Sequence, residues 1–219
     1  MRKVILTCDA SGAALAGETG FIVVVVDVID FSTSMEAAMD CGAAAIFGAG
    51  TESSNPPVKI QPYEIGRMAG REAKRLGSEL IIVAEPRIGG DEVRKKEITG
   101  VINGIDSTGS VISGIIPNIG AEIVKLSDFN GKVVVGASGT GGVAFDAAVS
   151  AGAPLVLTGT VARTMKKNGF SSAKDSAERA VKSSMKAGRG IAVVAASGSS
   201  LEDLLAAEYI YKEILIRIR

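Results

Sequence analysis

The sequence predicts an α/β protein, a three-layer α/β/α arrangement built on a mostly parallel or mixed sheet. Short apolar runs recur along the 219 residues. Ala-rich stretches with helical spacing lie between many of them, and Gly, Ser, Thr or an acid closes each run, which is how buried strands alternate with covering helices.

The apolar runs at residues 4–7, 21–26, 44–47, 80–84, 133–135, 155–157 and 191–195 read as buried strands. Residues 35–39, 63–76, 143–150, 171–187 and 201–216 read as helices. Two regions resist this alternation, 51–62 and 87–118. In the second, EITGVINGID and GSVISGII flank a turn at Asp106-Ser107-Thr108-Gly109, which predicts a small β-hairpin arm. Two longer segments share an order of valine strand, polar loop, Ala-rich helix, Gly-Ala turn and second strand. They are VVVVDVIDFSTSMEAAMDCGAAAIFGAGT and KVVVGASGTGGVAFDAAVSAGAPLVLTGT, a pattern that predicts an internal βαβ repeat. The chain reads as a single domain, 1–219, with two similar halves at about 1–118 and 119–219.

Composition narrows the function. Hydrophobic residues make up 47% of the chain, enough for a sizeable core. Lys plus Arg and Asp plus Glu number 24 each, so no net charge draws the protein to nucleic acid or to an anionic membrane. The expected partner is a small phosphorylated or sulfonated metabolite, with a second copy of the chain as a homodimer. No apolar run reaches the roughly 18 residues of a membrane span. The two cysteines, Cys8 and Cys41, have neither disulfide-framework nor zinc spacing, which suits a reducing cytoplasm. There is no histidine, so Ser-His-Asp hydrolysis, phosphohistidine chemistry and His-ligated metals are excluded.

The acids then carry the weight. Asp27 follows four valines and so lies against a low-dielectric core, where it needs a partner to remain charged. A Mg²⁺ ion or a buried Lys or Arg would each serve. Glu85 follows the apolar run LIIVA, and Glu202 and Asp203 open the last helix. Four acids at strand ends or helix starts form a hard oxygen set of the kind Mg²⁺ takes. Ser32 and Thr33 fit a helix cap, with Thr33 and Glu36 in capping-box spacing, and Ser200 with Asp203 repeats the pattern. The glycine-rich loop 136–142, with Ser138, Gly139 and Thr140, suits either close helix packing or a phosphate held on backbone amides, and lacks the Lys-Ser/Thr ending of a Walker loop. A cysteine phosphatase is ruled out, because the residue that should be arginine is Ala14 after Cys8 and Phe47 after Cys41. Asp27 and Asp30 are two residues apart in the gap where aspartyl phosphatases of the haloacid-dehalogenase type have one.

The segment VVVVDVIDFSTSMEAAMDCGA resembles the signature of the 2-phosphosulfolactate phosphatases, a valine strand running into an acid, a Ser/Thr cluster and a helix. KVVVGASGTGGVAFDAAVSAGAPLVLTGT is similar to their second motif and SGSSLEDLLAAEYIYKEIL to their C-terminal helix. The resemblance implies a Mg²⁺-dependent hydrolase of a small phosphate ester, of the coenzyme M biosynthesis type. By it Asp27 is a catalytic or metal-binding acid, Glu85 and Asp203 are further acids, and Ser32, Thr33, Ser138, Gly139 and Thr140 bind oxyanions. Asp30 stands where the family motif has arginine, and Arg163 is the candidate to restore a cation, against the reading of a solvated loop charge. A non-catalytic relative that binds a small anionic metabolite is the alternative.

Overall fold

The computed structural model describes residues 3–168 and 170–218. Strand β1 (Val4–Cys8) leads into helix α1 (Asp9–Glu18), then β2 (Ile22–Val26), α2 (Phe31–Asp40) and β3 (Ala45–Ala49). Helix α3 (Pro62–Leu76), β4 (Leu80–Ala84), α4 (Asp91–Glu97), α5 (Thr99–Asp106) and β5 (Ile112–Pro117) follow. After a 3₁₀ turn at Gly120–Lys125 come β6 (Val133–Ala137), α6 (Gly141–Ser150), β7 (Val156–Gly159), α7 (Phe170–Ala187), β8 (Ile191–Ala195) and α8 (Leu201–Arg217).

The strands form two four-stranded sheets, ordered β1-β8-β2-β7 and β3-β6-β4-β5, and every pairing is parallel. Parallel strands need helical crossovers, and those helices bury both faces of the sheet. All five residues of β2, β4, β6 and β8 are accordingly buried. Helices α7 and α8 cover the outer face of the first sheet through Ala177, Ala180, Ala207 and Ile210 against Val24, Val26 and Val193. Helices α3 and α5 cover the outer face of the second, setting Ile65, Ala69, Val101 and Ile105 against Ile82, Val133 and Val135. Between the sheets lies one layer, α1, α2 and α6. Its alanines and Phe31, Met35 and Phe145 share a cluster with Val23, Val25 and Val194 on one side and Ile81, Val83 and Val134 on the other. Each sheet is thus the middle of an α/β/α sandwich, and the two sandwiches share their inner helices.

This revises three expectations. The α/β/α layering holds, but around two wholly parallel sheets, with strands from before and after residue 118 in each. The repeated strand-helix-strand segments exist, yet each crosses between sheets: α2 carries the chain from β2 in the first to β3 in the second, and α6 carries it from β6 back to β7. The hairpin arm is absent from 97–117. Ile98, Val101 and Ile105 recur at helical spacing and are fully buried against the second sheet's outer cluster, so the segment folds as helix, and β5 then pairs in parallel with β4. Apparent alternation there came from glycines and threonine between the apolar residues, not from a strand.

Close helix contact explains several glycines. A methyl group on Gly104 of α5 would run into the Tyr63 carbonyl of α3, and one on Gly66 of α3 would run into the Val101 carbonyl. A methyl on Gly136 of β6 would stand 2.6 Å from the Phe31 ring. Helix α3 itself begins on Pro62, whose missing N–H costs nothing at that position, and ends on Gly77 in the left-handed conformation at φ 63°. Among the described residues no helix is long and apolar enough to cross a membrane. We predict that Gly104→Ala, which must push α3 from α5, lowers unfolding free energy in urea by about 1–3 kcal/mol; an unchanged denaturation midpoint would contradict this packing.

Candidate active site

Parallel pairing puts all strand carboxyl ends of a sheet on one edge, the usual place for ligands. In the first sheet Val26 pairs with Ala195 and Gly159, so Asp27 leaves the edge beside Ala196 and Thr160. In the second, Ala137 pairs with Ala84 and Ala49, so Ser138, Glu85 and Gly50 leave together. The shared helix layer then brings the two edges against each other. The carboxylate of Asp27, from the first sheet, accepts hydrogen bonds on Oδ2 from the Thr140 hydroxyl at 2.7 Å and the Gly141 N–H at 2.8 Å, at the start of the helix that leaves the second. An anion is stabilised there by unpaired amides and the helix dipole.

Three more acids surround this contact. Asp203 Oδ1 accepts the Val28 N–H at 2.8 Å, and Ser200 caps its helix by accepting the Asp203 N–H at 3.2 Å, the cap expected from the sequence. Glu85 Oε2 accepts the Gly139 N–H at 3.1 Å. Asp30 is paired with Arg87. Burial pushes the carboxyls of Asp27, Asp30 and Glu85 above the ordinary carboxylate range. It is opposed at Asp27 by Thr140 and Gly141, at Asp30 by Arg87, and at Glu85 by the Gly139 amide. Asp203 rises to about 6, chiefly through burial and then through the charge of Asp27. Asp27 Oδ1 is buried with no hydrogen-bond partner, a costly state it shares with Glu36 Oε2, Arg94 Nε and Ser172 Oγ, and of these four it alone belongs to the acids at the joined carboxyl edges.

The turns bearing Asp27, Glu85, Ser138 to Thr140 and Asp203 therefore meet. The proposed oxyanion binders meet there too, but, the Ser138 hydroxyl apart, their donors are engaged within the protein. Ser32 Oγ donates to the Val25 carbonyl at 2.9 Å and accepts the Asp27 N–H at 3.1 Å. Thr33 Oγ1 bonds the Val28 carbonyl at 2.7 Å and lies 2.8 Å from Thr160 Oγ1. Ser138 Oγ accepts the Gly142 N–H at 2.8 Å. Gly139 and Gly141 give their amides to acids, so the loop cradles carboxylates where a phosphate was expected. The Thr33 to Glu36 capping box also fails to form: α2 starts after Asp30 with no side-chain cap, because Glu36 is drawn inward by Thr158 Oγ1 and Arg179. Glu202 is exposed, lies 3.1 Å from the Ser200 hydroxyl, and faces an apolar groove with Phe170 and Tyr209, outside the acid cluster. Arg163 is an exposed loop residue near Glu122, and the cation at the rim is Arg87.

Arg87 was missed because it lies in the unassigned stretch after β4, where no periodicity marks it. Its signal was the EPR run directly after a buried strand. Asp9 was missed as well: at the start of α1, its Oδ1 accepts the Gly198 N–H at 2.7 Å and ties β1 to the loop before α8. Asp146, buried in α6, accepts the Gln61 N–H at 2.7 Å and the Gly50 N–H at 3.3 Å, which anchors the 51–61 loop beside the same edge. Among the described residues no three acidic or cysteine side chains converge closely enough to hold one ion between them. A search of protein-family models finds none that matches the chain, and a search of curated proteins finds no match.

The raised Asp203 gives a pH test. Folded at about 6 and 3.8 when unperturbed, it binds more protons in the native state, so its contribution to stability is complete below about pH 4 and is lost as pH rises through 6. Asp203→Asn, which keeps an acceptor for Val28, is predicted to raise the melting temperature by about 2–4 °C at pH 7 and to leave it nearly unchanged at pH 4. Equal shifts at both pH values, read by thermal denaturation, would show that Asp203 does not titrate in this way.

Proposed function

We propose that this protein is a Mg²⁺-dependent phosphatase of a small phosphate ester, of the 2-phosphosulfolactate phosphatase type. The observation that carries the reading is the unpartnered Oδ1 of Asp27 amid three further acids, all with raised proton affinity. Such clustering of perturbed acids at a sheet edge is characteristic of functional sites. The lack of a three-acid cage does not oppose Mg²⁺, which keeps several waters and takes one or two carboxylates together with substrate phosphate oxygens. Asp27, with Glu85 beside it, would hold the ion, which leaves Asp203 for proton transfer. When bound, Mg²⁺ neutralises ester charge and activates water.

The chain's own groups have separable roles in this reading. Thr140 and the Gly141 amide fix Asp27 by one oxygen and leave the other free to ligate. The Asp203 carboxyl, whose proton is shed only near pH 6, is suited to give a proton to the leaving alkoxide at mildly acid pH. Arg87 offsets the charge of Asp30, which would otherwise repel an incoming phosphate.

A second reading, a non-catalytic protein that binds a small anionic metabolite, is favoured by one observation: Asp30 stands where the family motif has its arginine, and it takes up Arg87 as its own partner. Phosphate release from 2-phosphosulfolactate and a panel of small phosphate esters with Mg²⁺ separates the two. Turnover is expected, and Asp27→Asn should reduce kcat by about 100-fold or more. Equal turnover by both proteins would remove Asp27 from the chemistry, and calorimetric binding of the esters without turnover would establish the second reading.

A further inference from the structure

We infer that the pocket beside the acid cluster recognises a small zwitterion, through Glu97 for its ammonium and Arg87 for its carboxylate. The pocket, about 460 Å³, is walled by Thr51, Ser53, Glu85, Arg87, Glu97 and Gly139. Its volume falls in the range of metabolite sites. It opens onto the candidate active site through Glu85 and Gly139, which are hydrogen-bonded to each other.

Both recognition groups are held but not used up. Glu97 is fixed through Oε2, which accepts the Ser53 hydroxyl at 2.6 Å and the Ser53 N–H at 3.2 Å. Its Oε1 has no partner among the described residues. The Arg87 side chain is 50% exposed and anchored by one nitrogen to Asp30. Its remaining N–H groups have no partner among the described residues, and a guanidinium offers five donors in a planar fork suited to a carboxylate. Ser53 and Asp30 are thus positioning residues for the two charges.

Charge balance decides the class of ligand. Glu85 and Glu97 line the pocket with Arg87 as its one lining cation among the described residues, and Arg87 already faces Asp30, so a ligand with only negative groups meets repulsion from the two glutamates. A simple cation would leave Arg87 unused. A molecule with both an ammonium and a carboxylate satisfies Glu97 and Arg87 together. Where the phosphatase reading holds, the preferred substrate among small phosphate esters is then that of a hydroxy amino acid, ahead of the wholly anionic 2-phosphosulfolactate. That extension rests on the phosphatase reading, whereas recognition of the zwitterion does not.

O-Phospho-L-serine and 3-phosphoglycerate share a skeleton and differ in an ammonium against a hydroxyl, which makes them the probes. Calorimetry on the full chain is expected to show O-phospho-L-serine bound at least about tenfold more tightly. Glu97→Gln, which retains the Ser53 contacts, should erase that preference, and Arg87→Gln should weaken both ligands. Ser53→Ala, which removes an anchor of Glu97, should reduce the preference and serves if Glu97→Gln lowers the melting temperature. Equal or tighter binding of 3-phosphoglycerate, or a preference that survives both Glu97→Gln and Ser53→Ala, overturns the inference. Phosphate release with Mg²⁺ is measured in parallel. Preferential binding without release upholds the zwitterion site and defeats the phosphatase reading, whereas release favouring 3-phosphoglycerate does the reverse.

Discussion

One layer of helices has to serve two sheets, and that constraint shapes the molecule. A helix in an ordinary sandwich turns one stripe to its sheet and the opposite stripe to water. Here α1, α2 and α6 have a sheet on either side, so a polar side chain inside the layer has to find a partner, as Glu36 does in Arg179 and Asp146 in the Gly50 and Gln61 amides. The layer is built from alanine and glycine for this reason: Ala13, Ala16, Ala37, Ala38, Ala144, Ala147 and Ala148 are all essentially inaccessible. Gly17 of α1 lets that helix close on α6, where a methyl group would come within 2.6 Å of the Ala148 carbonyl. The larger members, Phe31 and Phe145, meet edge to face with ring centres 6.2 Å apart and fill the space the alanines leave.

Sharing the layer also forces the two carboxyl edges together. A pair of separate sandwiches would present two sites, but α2 and α6 each begin at one sheet and deliver the chain to the other, so both start in the same crevice. Asp27 bridges that crevice to the first turn of α6. The crevice is consequently rich in acids withdrawn from water, each of which binds protons more tightly than it would in the unfolded chain. Such an arrangement weakens the fold at neutral pH, and proteins retain it where the strain serves a ligand. Away from the crevice, Asp146 is held by the Gln61 and Gly50 amides, whereas two acids of α2 have cationic partners. Glu36 is met by Arg179 and Thr158, and Asp40 by Lys167 at 2.6 Å, which fastens the segment before α7 to α2.

Much of this was legible residue by residue. The valines of β2, β6 and β8 announce strands covered on both faces, and the position of Asp27 directly after such a strand announces a buried acid at a carboxyl edge. Ser200 and Asp203 announced their own cap. Local pattern failed where two structures share a composition. Residues 98–105 carry β-branched side chains that suit a strand, but the burial of Ile98, Val101 and Ile105 on one side follows a helical period. Thr33 and Glu36 have capping-box spacing, yet Arg179, 143 residues away, offers Glu36 a charged partner that the helix end cannot. Arg87 and Glu97 left no periodic trace at all, since both act through side-chain pairing across the chain.

By itself the sequence determined the α/β class, most of the strands, the lack of any histidine-based chemistry and the concentration of acids at strand ends, because these follow from side-chain type and local spacing. Only the tertiary structure decided that there are two sheets in place of one, that the glycine-rich loop gives its amides to carboxylates, and that Arg87 is the cation at the rim. Sheet membership is set by which strands pair across long separations, and hydrogen-bond partners by which turns the shared helices bring into reach. Neither property is carried by any local stretch of residues.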